Sequence, residues 1–88
     1  MTYAERMRNK LEAAFSPTEL EIVDESEQHK GHGGYRDGGE THFRVRIAAP
    51  AFDGMGRVER SRAVHRVVAA ELEERVHALA LEIRGSEA

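Results

Sequence analysis

Five histidines and no cysteine set the chemistry open to this 88-residue chain. Neutral imidazole is a good ligand for zinc, copper and iron, but a thiolate donor would have to come from another molecule. His29 and His32 form H-x-x-H among glycines. They are either metal ligands or two solvated loop side chains, because a firm site needs more ligands and a supporting hydrogen-bond shell. His77 shares strand parity with Leu79, Leu81 and Ile83. An imidazole first in such a strand is either a half-buried core residue or a ligand at the sheet edge. His42 is expected to make a cross-strand contact on the wet face of its strand. His65 is expected at a partly exposed helix position.

A second group of residues could bind an anion. Arg57, Arg60, Arg62 and Arg66 crowd one end of a helical segment, and Glu71, Glu73 and Glu74 crowd the other. The helix macrodipole favours the reverse order, and each misplaced charge costs roughly 0.3–1 kcal/mol. The arginines are therefore either a local basic face suited to a phosphate backbone, which Arg44 and Arg46 could extend, or a solvated surface. The net charge of −3 argues against strong nonspecific nucleic-acid binding by the molecule as a whole.

Catalysis has the least support. None of Ser16, Ser26, Ser61 and Ser86 lies in a G-x-S-x-G elbow. Gly54-Met55-Gly56 is too short for a dinucleotide fingerprint or a P-loop, and lacks the G-x-x-G spacing of a nucleotide clamp.

The elements that must position these residues follow from periodicity. Thr2 to Glu5 has capping-box spacing, and Tyr3, Met7, Leu11, Ala14 and Phe15 give a helical stripe that Ser16-Pro17 ends. Leu20 to Val23 reads as a short strand. Residues 25 to 40 hold five glycines and read as a long loop of a kind that is often functional. Thr41 to Ile47 is the clearest strand, with Phe43, Val45 and Ile47 alternating with His42, Arg44 and Arg46. Arg57 to Arg75 reads as one helix with Val64, Val67, Val68 and Leu72 inward, and Val76 to Ile83 as a last strand. The order helix, strand, strand, helix, strand predicts a single α+β domain over residues 1–88. Its simplest form is a three-stranded sheet with both helices packed on one face. The polar N-terminus and the lack of a long apolar run predict a cytoplasmic protein without a signal peptide or membrane span.

In combination, several segments resemble the BolA family. Leu20 to Ser26 is similar to its first strand and turn, with His29 at the family's usual distance from Ser26. Gly39-Glu40-Thr41-His42-Phe43 resembles the family's G-S/E-x-H-F. Phe52-Asp53-Gly54 resembles its F-x-G, and Val76-His77-Ala78-Leu79 its V-H-A-L. The resemblance covers roughly residues 3 to 84. Two departures stand out. Ser61 stands where the family typically has histidine, between Arg60 and Arg62, and the loop is longer and richer in glycine than in many members.

The resemblance implies a class II KH-like fold with a mixed three-stranded sheet. It implies a non-enzymatic partner of a monothiol glutaredoxin, acting with glutathione and sharing a labile [2Fe–2S] cluster in iron and redox homeostasis. The family's cluster histidine falls on His77 and its loop ligand on His29, with His32 an extra candidate. No cluster is expected on the isolated chain, since iron–sulfur centres are normally held by thiolates with histidine as the known substitute. The alternative the resemblance implies is a DNA-binding transcriptional regulator acting through Arg57, Arg60, Arg62 and Arg66.

Overall fold

The computed structural model describes residues 1–26 and 39–86 of the chain. Thr2 caps the first helix. Its hydroxyl accepts from the Glu5 N–H, and the Glu5 carboxylate accepts from the Thr2 N–H, so each satisfies a backbone donor of the other. Helix α1 spans Tyr3–Phe15, buries Met7 and Leu11, and stops at Ser16, whose backbone is left-handed (φ 46°) ahead of Pro17.

Three strands follow in sequence: β1 (Glu19–Asp24), β2 (His42–Ala48) and β3 (Ala78–Arg84). β2 is central, antiparallel to β1 and parallel to β3. The parallel pair needs a crossover, and two helices provide it: α2 (Arg57–Val67) and α3 (Ala69–Glu74). The sheet is thus mixed, as expected.

The register explains the alternation. Leu20, Ile47 and Ile83 form one row across the sheet, and Ile22, Val45 and Leu81 the next. These rows face Met7 and Leu11 of α1 and Val64 of α2 in one apolar core. The opposite face is a charge ladder. Arg46 lies between Glu21 (3.6 Å) and Glu82 (3.1 Å), Arg44 bonds Glu25 (3.1 Å), and Glu19 pairs with Arg84 across Ala48. Arg44 and Arg46 therefore do not extend the basic helix. They lie on the far side of the sheet and are already ion-paired.

Two element boundaries differ from expectation. The expected helix from Arg57 to Arg75 is kinked into α2 and α3 at Val68 (φ −105°, ψ 22°). Val67 and Val68 are adjacent β-branched residues, which favour helix weakly. The last strand starts at Ala78 instead of Val76. Val76 is buried, and its N–H still bonds the Glu71 carbonyl at the end of α3. The apolar Val76 thus takes the core position, and the chain turns before the ladder begins. His77 is consequently exposed and precedes the strand, so it is not the half-buried first strand residue that alternation suggested.

Glu71 is fully buried between α1 and α3. Its carboxylate meets Arg6 at 2.9 Å and Lys10 at 2.8 Å, and Arg6 also bonds Glu74 at 2.9 Å. Among the described residues, no helix is long and apolar enough to cross a membrane.

Candidate functional site

The end of the sheet where β1 leaves and β2 enters gathers most of the candidate chemistry. Ser26 and Thr41 are buried there. The Ser26 hydroxyl accepts from the N–H groups of Thr41 (2.9 Å) and His42 (3.2 Å). Asp24 accepts from the N–H groups of Ser26 (2.9 Å) and Glu40 (3.0 Å). Partial burial pushes the Asp24 carboxyl up, but the Ser26 bonds, the Glu40 amide and the charge of nearby His42 outweigh it. The group is held below its ordinary value near 3.8.

Gly39 closes the other side of this neck. Its backbone is left-handed (φ +68°), and a Cβ there would meet Asp24 Oδ2 at 3.2 Å. Arg75 donates twice to the Gly39 carbonyl, from Nε at 2.9 Å and from its terminal nitrogen at 2.7 Å. The two ends of the segment carrying His29 and His32 are thereby fixed to one place. His29 and His32 themselves lie outside the described residues.

The same neck positions two imidazoles. The Thr41 carbonyl accepts from both the His77 N–H (2.7 Å) and the Ala78 N–H (3.2 Å), which ties the start of β3 to the start of β2. His42 is opposite Ala78 in the parallel register. The rings of His42 and His77 are therefore neighbours, with centroids 6.2 Å apart and planes inclined by 45°. His42 Nδ1 lies 2.9 Å from Thr41 Oγ1, which in turn lies 3.3 Å from Ser26 Oγ.

The sequence placed His42 in a cross-strand contact but did not pair it with His77. Only the strand register joins them, and H-F and V-H-A carry no mark of parallel pairing. Among the described residues, no three histidine or carboxylate side chains converge on a metal-sized space. The described donor set is two imidazoles, and the chain has no thiolate to add. This fits a centre completed by a partner and does not fit one held by the chain alone.

The arginines of α2 do not act as one surface. Arg60 turns inward, and its guanidinium donates to the carbonyls of Phe52 (3.2 Å), Met55 (3.1 Å) and Ile83 (3.4 Å). Arg57, Arg62 and Arg66 are exposed and make no ion pair among the described residues. Arg62 and Arg66 are one helical turn apart and adjacent on the outer face, while Arg57 lies at the helix start on a different flank. His65 is exposed, and its Nδ1 bonds the Ser61 carbonyl at 2.8 Å.

Comparison with known proteins gives this geometry a context. The family model described as BolA-like protein matches residues 11–87. The chain is 48% identical over 83 residues to an uncharacterized Sinorhizobium protein from the cobS 5′ region, covering 93% of this chain and 89% of that one. It is 42% identical over 81 residues to the DNA-binding transcriptional regulator BolA of Escherichia coli K12, covering 92% of this chain and 73% of that protein. Some other curated relatives are longer, and the chain spans about half their length. Among solved structures, BolA1 from Arabidopsis thaliana superposes with a TM-score of 0.87 at 38% identity, over 98% of this chain and 94% of that one.

Proposed function

The chain belongs to the BolA-like family, and from that premise we propose that it is a non-enzymatic adaptor. It partners a monothiol glutaredoxin, with glutathione, and shares a labile [2Fe–2S] cluster with it. The observation that carries this reading is the exposed His77 beside His42, at the point where both ends of the segment bearing His29 and His32 meet the sheet. The cluster would supply labile iron and a one-electron acceptor. His77 would supply an accessible imidazole, and His29 or His32 a second from the adjoining segment. The Ser26–Thr41–Asp24 network would hold the neck against which the partner docks. The partner's thiolates would complete the set. Anaerobic mixing with the host's monothiol glutaredoxin, iron and sulfide tests the reading. A cluster spectrum that differs from that of glutaredoxin alone is expected, and an unchanged spectrum with no co-elution overturns it.

A second reading is DNA-binding transcriptional regulation. The observation that favours it is the exposure of Arg57, Arg62 and Arg66 without ion pairs among the described residues. A relative bearing that description is 42% identical. Arg62→Ala with Arg66→Ala is the informative pair, because Arg60 is engaged by backbone carbonyls. If each contacts one phosphate, the double variant loses about two units of the slope of log affinity against log salt. An unchanged slope in a retardation or anisotropy titration removes these residues from any DNA interface.

A further inference from the structure

β3 is an edge strand, and its free side opens on a groove that shares only Arg57 with the DNA-binding reading above. Its two edges are distinguishable. Ala78 donates to the Thr41 carbonyl and Arg84 accepts from the Ala49 N–H, so the even-numbered residues of β3 bond β2. The N–H and C=O groups of Leu79, Leu81 and Ile83 therefore point to the open side. Arg60 reaches the Ile83 carbonyl from that side, as this alternation requires. The outward groups of Leu79 and Leu81 have no partner among the described residues.

Along this edge, between β3 and the start of α2, runs a groove of about 580 Å³. Leu81, Ile83 and Met55 make its apolar floor, and Arg57 and Ser61 stand on its helix wall. Glu82 also borders it, but its carboxylate is engaged by Arg46 on the other face of the sheet. We infer that this groove accepts an extended segment of a partner protein as a fourth strand. That segment presents apolar residues to Leu81 and Ile83 and one carboxylate to Arg57.

Three features select that occupant. A row of outward N–H and C=O groups matches a peptide backbone, the basis of strand addition. The floor takes alternate apolar side chains of such a strand. The exposed cation at the rim complements an acid. A single nucleic-acid strand suits the groove less well. No aromatic side chain lines it for base stacking.

The test uses the full chain, labelled with ¹⁵N, and two capped eight-residue peptides of alternating threonine and valine. One carries a single central glutamate and the other a lysine at that place. Binding of the glutamate peptide should shift the Leu79, Leu81 and Ile83 amides and slow exchange at Leu81. The lysine peptide should bind about three- to fivefold more weakly. Arg57→Glu should reverse that preference. Leu81→Pro removes an outward N–H without breaking the β2 ladder, so it should abolish binding while the circular dichroism spectrum is retained. If Leu81→Pro does not fold, the Arg57→Glu reversal alone decides. The inference is overturned if neither peptide moves these amides, or if the shifts fall on β1. It is also overturned if oligothymidylate moves them where the peptides do not, or if the chain protects them by dimerising without peptide.

Discussion

His77 is exposed and contributes no side chain to the core, so its loss should separate assembly from folding. His77→Ala is expected to abolish the mixed cluster spectrum. It should leave the thermal midpoint within about 4 °C of wild type, since exposed substitutions usually cost under about 0.5 kcal/mol. Parallel melts and titrations check this, and a large fall in midpoint would make the imidazole a folding residue. Asp24 should behave in the opposite way. Its folded value is depressed, so its stabilising contribution is complete above its ordinary value near 3.8 and is lost as pH falls through the folded value. Acid unfolding monitored below about pH 4 should therefore flatten in Asp24→Asn. An unchanged acid profile would show that the neck is held by the Ser26 and Arg75 bonds alone. The importance of Asp24 was not legible in the sequence, where it is an ordinary strand-end acid. Its partners, the Ser26 and Glu40 amides, become neighbours only when the two ends of the intervening segment meet.

At the scale of elements, α1 and α3 are joined by the buried Glu71 and its two cations. The sequence suggested an acid-rich helix end at odds with the macrodipole. The structure shows that one of those acids is buried against Arg6 and Lys10, and that Arg6 bonds Glu74, holding its carboxyl below the usual range. Arg6→Met with Lys10→Met should strand the Glu71 carboxylate and cost about 3 kcal/mol or more in urea unfolding. Adding Glu71→Leu should return most of that loss, because an apolar replacement removes the stranded charge. If the triple variant is no better than the double, the loss arises elsewhere. The strands and α1 were legible because alternation and a capping box are local signals. The kink at Val68, the late start of β3 and the inward turn of Arg60 were not, because each is decided by what the segment packs against. Local spacing likewise grouped four arginines that the fold separates into one carbonyl ligand, one groove residue and two outward cations.

Across the whole molecule, the histidine site sits just before β3, and the groove lines the second half of that strand from Leu81 to Ile83. A seven-residue strand spans about 20 Å. The Thr41 carbonyl that receives both His77 and Ala78 has a further consequence, which concerns the order of events during folding. It joins the last strand to the second across the whole α2–α3 crossover. Long-range parallel pairing is slow to form, because loop closure must precede any gain from contact. Until β3 docks there is no His42–His77 neighbourhood. On the proposed reading, competence to receive iron from a partner would thus arise only once β3 has docked, so iron loading would report that the fold is complete.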